Sequence, residues 1–519
     1  MAGQRRVDDV LWVLRNVRHC APDPSLRSAA GLARALGVHR AQIGRWESGE
    51  VRLTQRHASA YEEVLALPPG SLGAAMEMLR RDVVPTGIDA ALAPMEPVPR
   101  DDLVDRALAH IEHLLASEPS RAADWWDLAD LLCREALVVL RDRDWRDLLD
   151  RAFGELEVSY GVAYVQRSMA VARLVGHPRA GAALVDLARS ALSDTTRHVY
   201  SDYAAALQYV PGPEPVRLLV EQVLSPVGEA PLWASLFVLT TCFRHGRGDG
   251  EQRELVARQC YDYVVDTTLS YRVRRCAAVL CATVDPRQAE SIAAYVGQLP
   301  GGRGVAEVLR FGAVLPSRQR RSLYAACSEA VRRAGLPADD PVFVRLLGRG
   351  LWDADSDLRG SALACLMLAP QGTPIGRVVA DTLLSAVRGG QLPLAGECLT
   401  VLFWICPREA LDPLLGLSTD PSTPPDLRHN VMRAAVSAPV GGDRAAYRRT
   451  VVAAVERAYA DRPGDREAAS AACYALGVRG FREDLLDLRD VAVRDGATGW
   501  RAECDSWLAV PAHWYPADG

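Results

Sequence analysis

The chain contains no lysine: all 60 of its basic Lys/Arg positions are arginine. That absence removes whole classes of chemistry. A P-loop needs a lysine on its phosphates, a pyridoxal enzyme needs one for its Schiff base, and a kinase needs one for ATP. Asparagine is scarce too, at Asn16 and Asn430 alone, and with abundant Ala, Gly, Pro, Val and Arg this reads as codon bias from a GC-rich genome. No window approaches about eighteen uninterrupted apolar residues, so no transmembrane helix and no membrane partner are expected. The opening MAGQRRVDDVLW lacks the apolar core and cleavage site of a signal peptide, which implies a cytoplasmic protein. The 12 cysteines are scattered without a C-x-x-C pair. Neither a disulfide framework nor a zinc site is expected, and Cys133, Cys276, Cys281, Cys365 and Cys473 read as small buried apolar residues of helices. There is no G-x-S-x-G, no H-E-x-x-H and no evident carboxylate dyad.

What is present is concentrated between Ser28 and Gly49, SAAGLARALGVHRAQIGRWESG. Leu32 and Leu36 lie four apart on one helical face, and Ile43 and Trp46 lie three apart on the next. Gly37 between them takes the positive φ that a tight inter-helix turn needs. Ala33 is small where two crossing helices must approach. Ser28 is suited to cap the first helix, and Gly49 to end the second. The Ala33, Gly37, Ile43 spacing is that of a helix-turn-helix, in register.

This run resembles the phage-repressor-like XRE family, whose recognition helix typically ends in a WESG-like sequence, here Trp46-Glu47-Ser48-Gly49. The resemblance covers roughly residues 7 to 80. It implies that the second helix enters the major groove of double-stranded DNA with its N-terminal side chains on base edges. Arg40, Ala41 and Arg45 then fall at base-reading positions. Arginine suits guanine, offering two donors to O6 and N7. Gln42 is placed to read a base or to hold a phosphate. Ser28, His39, Arg52 and Gln55 fall where such domains grip the backbone, which positions without specifying. One departure is Ala29, where many relatives carry a glutamine that braces the complex.

Around this core, Val7 to Arg18 reads as a first helix, with Arg15 or Arg18 available to Glu47. Thr54 opens a fourth helix and Pro68-Pro69-Gly70-Ser71 caps a fifth, which some relatives use for pairing into dimers and which is equally readable as ordinary core. The charge is uneven: residues 1–82 carry 12 arginines against 9 acids, and the remainder carries 48 against 56. A weakly basic head on an acidic body fits a DNA contact confined to the head.

Residues 83–100, VVPTGIDAALAPMEPVPR, read as a proline-rich linker that would let the head reorient. Residues 101–519 then read as helix after helix, with no alternating run that argues for a sheet. A weak repeat appears in which an arginine near a helix start precedes about two turns of Ala, Leu and Val closed by a proline: Arg167 and Pro178, Arg274 and Pro286, Arg359 and Pro370, Arg428 and Pro439. The spacing resembles HEAT or armadillo-type α-solenoids, whose units bury their apolar faces by stacking. The fold expected is therefore all-α: a five-helix head (1–82), the linker, and a long solenoid-like body (101–519).

Several other features read more simply as structure than as sites. His110-Ile111-Glu112-His113 is half a metal site at most, with no further ligand cluster beside it. GRGDG at 246–250 and GGRG at 301–304 lack both a preceding strand and a lysine. Trp125-Trp126 and Trp233-Phe237 suit core packing before a ligand groove. No cofactor, metal or catalytic residue is expected. The sequence thus predicts a DNA-binding transcriptional regulator that is not an enzyme. Its body forms a homodimer or holds a protein, peptide or small-molecule partner on a concave surface. The alternatives are a ligand-sensing regulator and a solenoid scaffold tethered to DNA by its head.

Overall fold

The computed structural model describes residues 2–51, 54–81, 100–116, 118–134, 140–194, 201–420, 422–440 and 443–515. They form 28 α-helices, and no β-strand occurs among them. The expected linker, apart from Arg100, lies outside the described residues.

The head comprises α1 (Ala2–His19), α2 (Ala29–Leu36), α3 (Arg40–Ser48), α4 (Gln55–Val64) and α5 (Ser71–Arg81), the five helices expected. The proline-rich loop before α2 tightens into a 3-10 turn, Pro24–Arg27, capped by Asp23. The body begins with α6 (Arg100–Leu115), α7 (Ala122–Arg134), α8 (Asp142–Glu157), α9 (Gly161–Leu174), α10 (Pro178–Ser193) and α11 (Ser201–Leu207). It continues through α12 (Glu214–Leu224), α13 (Glu229–Arg244), α14 (Gly250–Val265), α15 (Tyr271–Val284), α16 (Pro286–Val296) and α17 (Gly302–Phe311). Its second half runs through α18 (Ser317–Arg333), α19 (Pro341–Trp352), α20 (Ser356–Leu368), α21 (Gly372–Arg388), α22 (Leu392–Ile405) and α23 (Leu411–Thr419). The last helices are α24 (Pro425–Val436), α25 (Arg444–Asp461), α26 (Arg466–Gly477), α27 (Arg482–Arg494) and α28 (Thr498–Ala509).

Alternate helices stack in layers: α7, α9, α11, α13, α15 and α17 form the inner layer of the first half, and α20, α22, α24, α26 and α28 that of the second. The repeated arginines have a local physical reason. The last carbonyls of a helix lack intrahelical donors, and Arg274 supplies one at the end of α14, from Nε to Val264 O at 3.1 Å, while its Nη1 donates to Pro300 O at 2.9 Å in the α16–α17 turn. Arg359 does the same for Gly350 O at 2.9 Å and Leu351 O at 3.2 Å at the end of α19, whereas Arg428 donates to Thr423 O at 2.5 Å in the loop before α24. Two of the four repeated prolines open the next helix, where the missing N–H costs nothing: Pro178 and Pro286 are the first residues of α10 and α16, whereas Pro370 and Pro439 lie in the loops before α21 and α25.

The two inner layers face each other across the interior and are joined by side chains. Glu397 of α22 binds Arg275 of α15 at 2.7 Å. Arg244 and Thr241 of α13 reach Asp357 of α20, and Arg479 stacks on Tyr160 with its guanidinium carbon 3.6 Å from the ring centroid. The C-terminal Trp514 closes the ring, packing where a Cβ on Gly154 of α8 would stand. Side chains of the two halves thus meet across the concave face that the repeat pattern predicts.

The head is held against this ring rather than left free to reorient, which corrects the expectation drawn from the linker. Helix α1 packs on α19 and α20, and α5 on α9 and α20. Trp12 meets Phe343, with ring centroids 6.3 Å apart. Asn16 and Gln371 exchange reciprocal amide hydrogen bonds of 2.7 and 2.9 Å, both side chains buried. Asp9, 1% exposed, faces Arg345 and Arg349. Nine of the eleven residues of α5 are buried. That helix is core here, which leaves it no free face for pairing heads.

Candidate DNA-binding face

Helices α2 and α3 form where the sequence places them, and each end has an identifiable cause. The Ser28 hydroxyl accepts from Gly31 N at 3.0 Å and starts α2. Gly37, at φ +66°, ends it, and its neighbour Val38 donates to Ala33 O at 2.9 Å. His39 caps α3, its Nδ1 accepting from Ala41 N at 3.2 Å, and Gly49, at φ +76°, ends that helix. Leu32, Ala33, Ile43 and Trp46 are buried as their spacing requires. Trp46 packs between His57, at 4.4 Å, and the edge of Tyr61, at 6.0 Å.

The first helix locks this pair in place. Arg18 holds the Glu47 carboxylate with two bonds, Nε to Oε1 at 2.6 Å and Nη2 to Oε2 at 2.7 Å, and Arg15 takes the Glu47 carbonyl at 2.8 Å. Both arginines offered by the sequence are therefore used, for different atoms. Charge-assisted bidentate pairs of this kind are among the stronger hydrogen bonds. Glu47→Gln should weaken the head by about 2 kcal/mol. The check is hydrogen exchange on α3, and unchanged protection would show that α3 is held by its apolar face alone. Glu62 fixes the other end of the head, accepting from the backbone N–H groups of Gly70, Leu72 and Gly73 at 2.5, 2.6 and 3.1 Å.

The opposite face is open. Ser28, His39, Arg40, Ala41 and Arg45 are exposed, and Gln42 is half-buried, accepting from Arg45 Nη2 at 2.5 Å. That bond aligns the guanidinium with the amide, so the two present a joined donor and acceptor surface along α3. The exposed N-terminal turn adds the positive end of the helix dipole, which favours a phosphate there. Arg52 lies outside the described residues. Gln55 corrects the sequence reading: its side chain is 5% exposed and turned inward, where a Cβ on Gly73 would collide with it. It fills the α4–α5 junction and presents no side chain to a phosphate.

The remaining motifs resolve as structure. His113 faces Asp124 at 3.6 Å, and no group of metal-ligating side chains occurs among the described residues. GRGDG is an inter-helix turn in which Arg247 binds the carbonyls of Gln208 at 2.7 Å and Val210 at 2.8 Å while Asp249 caps α14. Trp125 is core, donating to Glu155 at 2.6 Å. Eleven cysteines are buried and Cys20 is half-buried, all of them free thiols. No described helix is long and apolar enough to cross a membrane.

Sequence reasoning missed the residues that dock the head, Asp9, Asn16, Arg345, Arg349 and Gln371. Their partners lie more than 300 positions away, and no local spacing signals them.

Comparison with known families agrees with this geometry. A helix-turn-helix family model matches residues 27–72. The match spans α2 to α4 and only the opening of α5, so the helices that dock on the body, α1 and most of α5, fall outside it. Residues 27–72 are thus a helix-turn-helix of the XRE type, the DNA-binding unit of transcription regulators. No curated protein and no solved structure matches the chain.

Proposed function

We propose that the protein is a sequence-specific transcription regulator, working in the cytoplasm by binding rather than turnover, whose helical body senses a ligand and sets the position of the head. The observation that carries this reading is the division of the head into two faces. The base-reading face of α3 is exposed, while α1 and α5 are clasped by the two halves of the body. A change in the body therefore acts directly on the placement of α3. One such head spans few base pairs, so we include pairing of two chains through the body, with half-sites about 34 Å apart along the duplex. Side chains of the two halves meet across the concave face, which favours a small ligand over a protein held in an open groove, and so favours a sensor over a tethered scaffold.

The test compares DNA occupancy of the intact protein with that of an Arg40→Ala/Arg45→Ala variant at one stated salt concentration. The expected result is a small set of sites sharing an inverted repeat and lost in the variant, with about 1–3 kcal/mol of discrimination lost for each arginine. Diffuse occupancy that the variant does not change would overturn sequence-specific reading. A protein that stays monomeric on isolated sites would overturn the pairing.

A further inference from the structure

The starts of α25 and α27 line one cavity of about 490 Å³ on the second half of the body. Arg444 and Arg448 of α25 form part of its wall, and Gly480, Phe481, Arg482 and Glu483 form the rest. Ion pairs tie the two helices together beside it: Arg448 Nε binds Asp484 at 2.7 Å, and its Nη2 binds Glu483 at 3.0 Å. The Arg448 guanidinium carbon lies 5.9 Å from the Phe481 ring centroid. Arg482 donates from Nη1 to Val510 O at 2.7 Å and from Nη2 to Leu508 O at 2.9 Å.

Three features suit this cavity to an anion. First, positive charge is in excess. Three guanidinia meet two carboxylates, Arg482 serves neutral carbonyls, and the Glu483 side chain is 82% exposed, so its ion pair is weak. Second, Arg444 is exposed, and among the described residues no carboxylate lies within 4.0 Å of it. Its guanidinium holds no other part of the fold. Third, no side chain caps α27, and the N–H groups of Arg482, Glu483 and Asp484 have no acceptor among the described residues. A helix start alone would make no site; here a bounded cavity sets arginine forks beside it.

A phosphate group presents three acceptor oxygens, enough for donors that arrive from both helices, whereas a carboxylate presents two in one plane. The positive ends of helices favour the same group. The volume is larger than an inorganic anion needs and falls within the range of small-molecule sites. We propose that the cavity binds a small organic phosphate, with Arg444 and Arg448 on the phosphate and the organic part against Phe481. This inference rests on the reading of the body as a sensor and supplies its site and ligand class. A chain of contacts runs from the cavity to the head. Arg482 holds the Leu508 and Val510 carbonyls, Tyr515 packs on Gly480, and Trp514 packs on Gly154 of α8. Helix α8 packs on α9, and α9 on α5 of the head.

The test uses the full chain without DNA, so that its failure is distinct from failure of the DNA reading. Phenyl phosphate, inorganic phosphate and benzoate are titrated at constant ionic strength and followed by calorimetry. Phenyl phosphate should bind saturably, one per chain, at least tenfold tighter than benzoate and at least threefold tighter than inorganic phosphate. Arg444→Gln should weaken it at least fivefold while leaving the unfolding temperature of the free protein unchanged. Glu483→Gln, which removes a competing carboxylate from the wall, should tighten it at least threefold. No saturable binding of any probe, or parental binding by Arg444→Gln, overturns the site. Benzoate binding as tightly as phenyl phosphate overturns the phosphate assignment, and inorganic phosphate doing so overturns the role of Phe481. Saturable binding that leaves DNA affinity unchanged would uphold this site and overturn the sensor reading instead.

Discussion

Glu397→Ala should lower the stability of the body by at least about 3–5 kcal/mol, the usual cost of stripping one partner from a buried ion pair. The cost is high here because one carboxylate serves two arginines from different parts of the ring. Arg275 of α15 binds it at 2.7 Å, and Arg359 of α20 binds both its carboxylate and its backbone carbonyl, the latter at 3.0 Å. The side chains of Glu397 and Arg359 are each 3% exposed, so little water is at hand to solvate a cation left alone. Burial by itself would raise the Glu397 pKa, but Arg275 and Arg359 outweigh it and hold the carboxyl below its ordinary value. A depressed carboxyl pKa contributes stability that is present above the unfolded-state value, about 4.3, and is lost as pH falls through the lower folded value. Glu397→Gln should therefore cost less than the alanine variant and flatten the acid limb of the stability curve below about pH 4.3. Urea unfolding at pH 7 and across that acid range checks both. A loss under about 1 kcal/mol for the alanine variant would mean that water solvates both arginines.

Asp9→Arg should release the head from the body. It replaces a carboxylate that binds both Arg345 and Arg349 by a third guanidinium, and close juxtaposition of like charges costs on the order of several kcal/mol. The remaining interface, the Asn16–Gln371 pair and the Trp12–Phe343 contact, then has to hold α1 against that repulsion. Two readouts follow. The amides of α1 and α5 should lose protection from hydrogen exchange while those of α20 keep theirs. Trypsin should cut after Arg81, a residue only 1% exposed while α5 is docked, with its guanidinium carbon 5.4 Å from the Tyr209 ring centroid. If α5 stays protected and Arg81 uncut, the remaining contacts, the Asn16–Gln371 pair among them, hold the head without the Asp9 ion pair. If the released head binds operator fragments with altered affinity, the body controls the head through this docking, as the proposed function requires.

The helix-turn-helix was legible because everything that makes it lies within about twenty residues. The caps at Ser28, His39 and Gly49, the turn at Gly37, and the buried stripe of Leu32, Ile43 and Trp46 follow from short-range sterics and helical period. The repeated arginines were visible as spacing, and the work of Arg274 and Arg359 on the carbonyls of the preceding helix is local too. Gln55 was misread because its exposure depends on Gly73 of another helix, which leaves room for it to turn inward. Trp233 and Phe237 read as core from their spacing, and both are half-buried and packed against it, with Arg272 stacked on the Trp233 ring.

The sequence by itself determined an all-helical protein with a DNA-reading unit at its head, since helix period, capping and turn chemistry act between neighbours in the chain. Only the tertiary structure decided that the two halves of the body meet through Arg275 and Glu397, Thr241 and Asp357, and Tyr160 and Arg479, and that α1 and α5 are clasped by it. Those contacts join residues from 97 to 355 positions apart, and which surfaces meet is settled by how stacked layers curve, a property of the whole array that no single stretch records.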